Sequence, residues 1–242
     1  ITVSNTNCVA GNQPTVTATV NLVYLTFASF TTNPAPIGAS RSVVLKTGAA
    51  QPTFTVGAGT GYNQFTLTES GSGGTLATPL VTPGCTAAAG CSSSATTFAA
   101  ADDGKTISVT VGFASGGSTS TVTQGTPNAG SGSVTIVFLS QTMFTTSPAL
   151  SVCGASPCTP GVSYLITSSS TVSFTFVGTG FDTVNAAVSG AGSSSGSHTM
   201  TGTATGAGIT VSITTVSPTD NGKTVTPSLY FSANSGITIP TT

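Results

Sequence analysis

Short runs of β-branched and aromatic residues, separated by turn-forming residues, cover most of the chain. Runs such as "TFTV", "QFTLTE", "TISVTVGF", "VSFTFV" and "ITVSITTV" have the length and side-chain pattern of strands. At the start, Val20, Leu22 and Tyr24 alternate with Asn21, Val23 and Leu25, which predicts a further strand. Stretches such as "TTNPAP", "GAGTG" and "ADDG" supply the Gly, Pro, Asn and Asp of turns. No stretch shows the 3.6-residue spacing of a helix, so the pattern predicts an all-β protein.

The pattern occurs twice. "VNLVYLTFASFTTNPA" at residues 20–35 recurs as "VTIVFLSQTMFTTSPA" at residues 134–149. Further matches follow in the same order, "GTGY" (59–62) with "GTGF" (178–181) and "DDGKTISVTV" (102–111) with "DNGKTVTPSL" (220–229). Biased Ser/Thr/Gly composition does not reproduce aligned aromatic positions such as Tyr24 and Phe138. The sequence therefore predicts two tandem copies of one domain.

The repeat also sets the expected domain limits. Residues 1–18 form an N-terminal extension, residues 19–114 the first repeat, residues 115–132 a linker or last strand, and residues 133–242 the second repeat. Each repeat holds several short strands with turn signals between them, which is typical of an antiparallel β-sandwich.

The chain carries very little charge. Asp, Glu, Lys and Arg make up 4% of the residues and the net charge is −1, whereas roughly 25% is usual in soluble domains. Four basic residues give a nucleic acid backbone nothing to bind, which excludes nucleic acid as a partner. No apolar run is long enough to span a bilayer. A neutral, Ser- and Thr-rich surface lacks the repulsion that keeps copies apart, so we expect self-association or a coat of O-linked glycans.

The cysteines point to an oxidising, extracellular location. Cys85 and Cys91 flank "CTAAAGC", and Cys153 and Cys158 flank "CGASPC", so each pair predicts a small loop closed by a local disulfide. Cys8 is left over. Three alternatives are open for it: a free thiol, a bond to another subunit, or a different pairing.

The residues that enzymes use are scarce. The chain has one His, His198, and five acidic residues, and no nucleophile motif stands beside them. Asp102 and Asp220 occupy equivalent turns and are expected to cap them. A calcium site at Asp102 and Asp103 is the alternative, although two acids are few for a hard cation. We therefore expect no catalysis, no cofactor and no metal.

The "D-x-G-K-T" element resembles a known motif. It comprises Asp102, Gly104 and Thr106, and again Asp220, Gly222 and Thr224, and it resembles the turn that enters the penultimate strand of immunoglobulin-like (Ig-like) domains. The chain departs from antibody-type domains because Thr stands at the corner Tyr position, no core Cys pair brackets the strands, and there is no Trp. It is similar to the broad class of bacterial and archaeal surface Ig-like domains, including BACON-like ones. The resemblance implies two tandem Ig-like antiparallel β-sandwiches.

The first residues align with the segment that joins the two repeats, since Gly11 corresponds to Gly125. Residues 1–10 then form a strand that belongs to a preceding module. Two alternatives are open: this strand pairs with the first repeat of its own chain, or it is donated to the second repeat of a neighbour. In the second case the intersubunit residues would include Ile1, Val3, Cys8 and Val9.

Together these features predict a secreted, non-enzymatic structural protein at the cell surface. We expect a pilus-like homopolymer assembled head to tail, by analogy with donor-strand pili. The alternative is a cell-surface adhesin or carbohydrate-binding stalk, although sugar-binding faces commonly use aromatic residues and the chain has no Trp.

Overall fold

The computed structural model consists almost entirely of β-strands. It has two short 3-10 helices, Ala100–Asp102 and Pro218–Asp220, and no α-helix in the described part of the chain. Nor do the described residues contain a helix that is long and apolar enough to cross a membrane. The structure describes residues 21–93, 96–115, 118–123, 132–149, 170–190, 192, 194, 196–202, 208–231 and 234–239.

The strands are short in the first half of the chain and longer in the second. The first ten are β1 (Thr26–Phe27), β2 (Phe30–Asn33), β3 (Ser42–Lys46), β4 (Thr53–Val56), β5 (Gly59–Thr60), β6 (Gln64–Glu69), β7 (Leu80–Pro83), β8 (Cys91–Ser92), β9 (Thr106–Ser115) and β10 (Ser118–Thr123). The remaining seven are β11 (Ser133–Ser147), β12 (Ser170–Thr179), β13 (Thr183–Val188), β14 (Gly196–Thr201), β15 (Ile209–Val216), β16 (Val225–Phe231) and β17 (Asn234–Ile239).

Two hydrophobic cores hold the sheets together. The first core lies between the sheet β2-β4-β8 and the sheet that contains β3, β11, β9, β6 and β7. Phe54 from one sheet and Phe65 from the other are both fully buried in it. The second core lies between β11-β12-β15 and the sheet β14-β13-β16-β17, where Phe176 and Leu229 are buried from the two sides. The predicted all-β, sandwich-type fold is confirmed.

The two halves repeat their local geometry. β1 pairs with β5 so that Thr26 faces Thr60, and β11 pairs with β12 so that Ser140 faces Thr179. Cis peptide bonds precede Pro34 and Pro148, which are equivalent positions.

The predicted strand over residues 20–25 is wrong for the part that the structure describes. Residues 21–25 belong to no strand, and the first strand begins at Thr26. Alternating apolar residues form a strand only when another strand supplies main-chain partners. Among the described residues, none supplies a ladder of such partners to this segment.

Candidate assembly site

The two cores are joined by one strand rather than by a loose linker. In its first part, Ser133–Thr135 pairs antiparallel with β9 and Thr135–Leu139 pairs parallel with β3. In its second part, Ser140–Ser147 pairs antiparallel with β12. β11 therefore completes a sheet of the first core and then begins the second.

The first part of β11 is apolar on both faces. Val134, Ile136 and Phe138 enter the first core, with exposed fractions of 1%, 0% and 4%. Val137 and Leu139, which alternate with them, enter the second core. A strand with apolar residues at successive positions is typical of one that is covered on both sides.

The "D-x-G-K-T" turn of the first repeat receives this strand. The backbone N–H of Gly104 donates to the carbonyl of Ile136 at 2.9 Å, and the N–H of Ile136 donates to the carbonyl of Lys105 at 2.8 Å. The N–H of Phe138 donates to Oδ1 of Asp103 at 2.8 Å. The turn that the sequence identified as a structural motif is therefore also the site where β11 docks.

Asp103 connects the two cores. Its carboxylate accepts the N–H of Phe138 and also that of Gly180, which lies in the turn after β12. Burial raises the pKa of Asp103, and these two backbone hydrogen bonds oppose the rise without cancelling it. This carboxylate therefore joins β11 to the turn after β12.

Asp102 stabilises the turn from within. Its side chain is fully buried and accepts the N–H of Ala99 and both the N–H and the hydroxyl of Thr75, each at 2.6 Å. Burial acts to raise the pKa of Asp102, but hydrogen bonds from Thr75 and Ala99 outweigh it and the pKa is lowered. This arrangement fixes the turn and leaves the carboxylate no access to a substrate.

Glu69 lies next to Asp102. Its Oε2 accepts the N–H of Leu76 at 2.7 Å, and Oε1 lies 3.8 Å from Nζ of Lys105. Burial raises the pKa of Glu69, and a side-chain hydrogen bond with Asp102 raises it further. The two acids share a closed polar site within the first half of the chain.

The equivalent turn of the second repeat has the same backbone form. Gly104 and Gly222 both have φ of 75°, a conformation that glycine adopts at little cost. Asp220 accepts the N–H of Ser217 at 2.9 Å and pairs with Nζ of Lys223 at 3.0 Å. Hydrogen bonds from Ser194, then Ser217 and Lys223, hold the pKa of Asp220 well below its usual range.

No described segment docks on this second turn as β11 docks on the first. β16 pairs with β13 along its length, but its other edge pairs with β17 only at Leu229–Phe231. The edge at Val225–Ser228 has no strand partner among the described residues.

The segment equivalent to the first part of β11 is exposed. Leu22 and Tyr24 are 94% and 79% exposed, whereas their counterparts Ile136 and Phe138 are buried. The equivalence is structural as well as sequential: Oγ1 of Thr60 donates to the carbonyl of Tyr24 at 3.1 Å. In the second half, Oγ1 of Thr179 donates to the carbonyl of Phe138 at 2.8 Å.

The remaining predicted residues are the cysteines and the residues near the N-terminus, and the structure describes only some of them. Cys85 and Cys91 are joined by a disulfide. Cys153 and Cys158 lie outside the described residues. So do Ile1, Val3, Cys8 and Val9, which means that the pairing of residues 1–10 stays a prediction.

The structure brings two of the acidic residues, Glu69 and Asp102, together. His198 lies on β14, with Nε2 3.4 Å from the carbonyl of Ser194. In the part of the chain that the structure describes, no three His, Cys, Asp or Glu side chains are grouped as metal ligands would be.

No protein-family model matches the chain, and no curated protein matches it.

From the sequence, residues 1–10 are a candidate donated strand that lies outside the described residues, and the exposure of residues 21–25 was not predicted. A signal for it was present. The second copy of the segment, "SVTIVFL", has apolar residues at successive positions, which indicates a strand covered on both faces. The equivalent segment "TVNLVYL" has the same pattern, so it too indicates a strand that is covered on both faces.

Proposed function

We propose that this chain is a structural subunit of an extracellular filament, in which copies join head to tail by donating an N-terminal strand. The observation that carries this proposal is the exposure of Leu22 and Tyr24, 94% and 79%, in a segment whose internal counterpart lies between two cores. Exposed apolar residues in a strand-like pattern are a typical site of partner binding.

The energetics favour association. Fully burying a large apolar side chain contributes about 1.5–3 kcal/mol, and main-chain hydrogen bonds to a sheet edge add register and orientation. With a net charge of −1, long-range repulsion between copies is small. Because the donating and accepting surfaces differ, each contact leaves one of each free, and the assembly extends as a fibre.

The location and the domain type are part of the same proposal. The Cys85–Cys91 disulfide is of the kind that forms and persists outside the cytosol. An Ig-like assignment for the first repeat is supported by the change of sheet between β2 and β3, and by the parallel pairing of β3 with β11.

Electron microscopy of material sheared from the cell surface tests the proposal, with non-reducing gels of the same sample. We expect uniform beaded fibres that contain this chain. A gel ladder that collapses on reduction would in addition implicate Cys8. Dispersed two-lobed particles with a single monomer band would contradict polymerisation, and the adhesin alternative would then lead.

The double variant Leu22→Ser, Tyr24→Ser tests the segment itself. Both side chains are exposed, so we expect the free energy of unfolding of the monomer to change by no more than about 0.5 kcal/mol. Polymerisation, followed by light scattering and microscopy, should be lost.

The matched control is Met200→Ser, which removes an apolar side chain of 47% exposure on β14 and should leave polymerisation intact. If the double variant polymerises as well as this control, strand donation by this segment is excluded.

A further inference from the structure

We propose that residues 21–25 of one copy dock on the second "D-x-G-K-T" turn of another copy, in the register that Thr135–Leu139 takes on the first turn. This inference rests on the proposed filament and adds the identity of the accepting surface and the register of the donated strand.

The donor matches its internal counterpart face by face. Leu22 and Tyr24, 94% and 79% exposed, stand where Ile136 and Phe138 enter the first core. Val23 is less exposed, at 50%, and Leu25 packs against the first core of its own chain, as Leu139 packs in the core that follows it. The open face is therefore the one that would meet a preceding module.

The acceptor matches as well. In the first turn, Gly104 and Lys105 exchange two backbone hydrogen bonds with Ile136. Gly222 has the same φ as Gly104, 75°. In the proposed contact, the N–H of Gly222 donates to the carbonyl of Leu22, and the N–H of Leu22 donates to the carbonyl of Lys223. The adjoining edge of β16 extends the same surface.

Asn221 takes the place of Asp103 in this contact. Asp103 accepts the N–H groups of Phe138 and Gly180, and the equivalent groups in a second copy belong to Tyr24 and Gly61. The side-chain carbonyl of Asn221 is an acceptor for the same N–H groups. It carries no charge, so the contact between copies avoids the cost of burying a carboxylate.

The partner is assigned as another copy because the donor segment lies in the first half of the chain and the accepting turn lies in the second. Within the chain, the Asp103 turn meets the Gly180 turn. The equivalent turns are those at Asn221 and at Gly61, one in each half, and among the described residues no backbone hydrogen bond joins them. A contact between them is heterologous and repeats without closing.

Cysteine cross-linking tests the register. Thr106 and Thr135 face each other next to the hydrogen-bonded Lys105–Ile136 position, so they form a non-hydrogen-bonded pair with Cα atoms about 4.5 Å apart, which suits a disulfide. The equivalent pair between copies is Asn21 and Thr224. We expect an Asn21→Cys variant mixed with a Thr224→Cys variant, both in a Cys8→Ser background, to form a covalent dimer upon oxidation.

Two controls define the result. Thr106→Cys with Thr135→Cys in one chain should close an internal disulfide and shows that the geometry permits the bond. Val225→Cys in place of Thr224→Cys moves the thiol to the opposite face of the strand and should lower the dimer yield at least tenfold. The bond at residues 21 and 224 is identified by peptide mapping under non-reducing conditions.

The outcomes separate the register from the filament. A dimer at residues 21 and 224 supports the inference. Fibres without that bond, or with equal yield from Val225→Cys, overturn the register and leave the filament standing. The absence of both fibres and dimers overturns both. Hydrogen exchange of the unsubstituted chain is a second measurement: the amides of Leu22 and Tyr24 should gain protection of at least tenfold on assembly, and unchanged exchange in fibres would overturn the inference.

Discussion

At the scale of single residues, Glu69 gives a clear pH dependence. Its pKa is raised by burial and by the hydrogen bond with Asp102, so the folded state holds a proton at pH values where the unfolded state has released it. The stability that this proton contributes is complete below the unfolded pKa of about 4.3. It is lost as the pH rises through the folded pKa, because the folded state binds more protons in that window.

We expect Glu69→Gln to remove the loss of stability that accompanies the rise in pH. The amide oxygen still accepts the N–H of Leu76, and the amide N–H donates toward Asp102 where the protonated carboxyl did. The variant should match the original chain near pH 4 and equal or exceed its free energy of unfolding at pH 7. Thermal unfolding followed by circular dichroism across pH 4–8 measures the difference.

Asp220 supplies the contrast. Its pKa is lowered by hydrogen bonds from Ser194, Ser217 and Lys223. The ionised carboxylate therefore stabilises the fold above the unfolded pKa of about 3.9, and this stabilisation is lost as the pH falls through the folded pKa. Asp220→Asn should therefore lower stability at pH 7, in the direction opposite to Glu69→Gln. An equal loss of stability in both variants at pH 7 would contradict the account of the Glu69–Asp102 site.

At the scale of elements, the side chain of Asp103 adds an acceptor to the backbone hydrogen bonds that hold β11 on its turn. Asp103→Ala leaves the N–H groups of Phe138 and Gly180 without the oxygen that they donate to. Leaving a buried donor unsatisfied costs about 1–3 kcal/mol. Asp103→Asn, which introduces the residue found at position 221, keeps an acceptor and should retain most of the stability. Urea unfolding of the two variants measures the difference in their free energies of unfolding. Equal urea midpoints would show that Asp103 does not hold β11 on its turn.

The sequence predicted most individual strands because their side-chain patterns are local. "TFTV", "QFTLTE" and "VSFTFV" lie in β4, β6 and β12, since each run alternates between core and solvent or is bounded by turn residues. The division into domains at residues 19–114 and 133–242 stays a prediction. In the structure, β11 serves both cores, and no local signal specifies which neighbours a two-sided apolar strand will join.

The candidate site was predictable only in part. The repeat identified the "D-x-G-K-T" turns and their equivalence, because Gly at a fixed position indicates a backbone form with positive φ. It did not show that the turn accepts a strand, which depends on Ile136, 32 positions after Gly104 in the sequence. The predicted strand at residues 20–25 likewise failed because strand formation requires a partner, and a single sequence does not say where the partner lies.

At the scale of the whole molecule, the two equivalent turns differ in what the described residues place on them. The first core receives Val134, Ile136 and Phe138 from β11. Among the described residues, nothing occupies the equivalent place on the turn at residues 221–224. The filament proposed here supplies it from a second copy, so the second half should gain stability from assembly, as any folded state does from a partner that binds it alone.

Thermal unfolding of fibres and of monomers measures this gain. Burial of Leu22 and Tyr24 contributes about 1.5–3 kcal/mol each, so the unfolding transition of the second half should shift to higher temperature in fibres and depend on protein concentration. Tyr24→Ser should return that transition to the monomer value, whereas Tyr24→Phe should preserve the shift, because Phe138 fills the equivalent place in the first core. The unfolding temperature of the first half, whose turn already holds β11, should change in neither variant. If assembly raised the unfolding temperature of both halves, or if Tyr24→Ser and Tyr24→Phe gave the same unfolding temperature in fibres, assembly would stabilise the chain through some other surface.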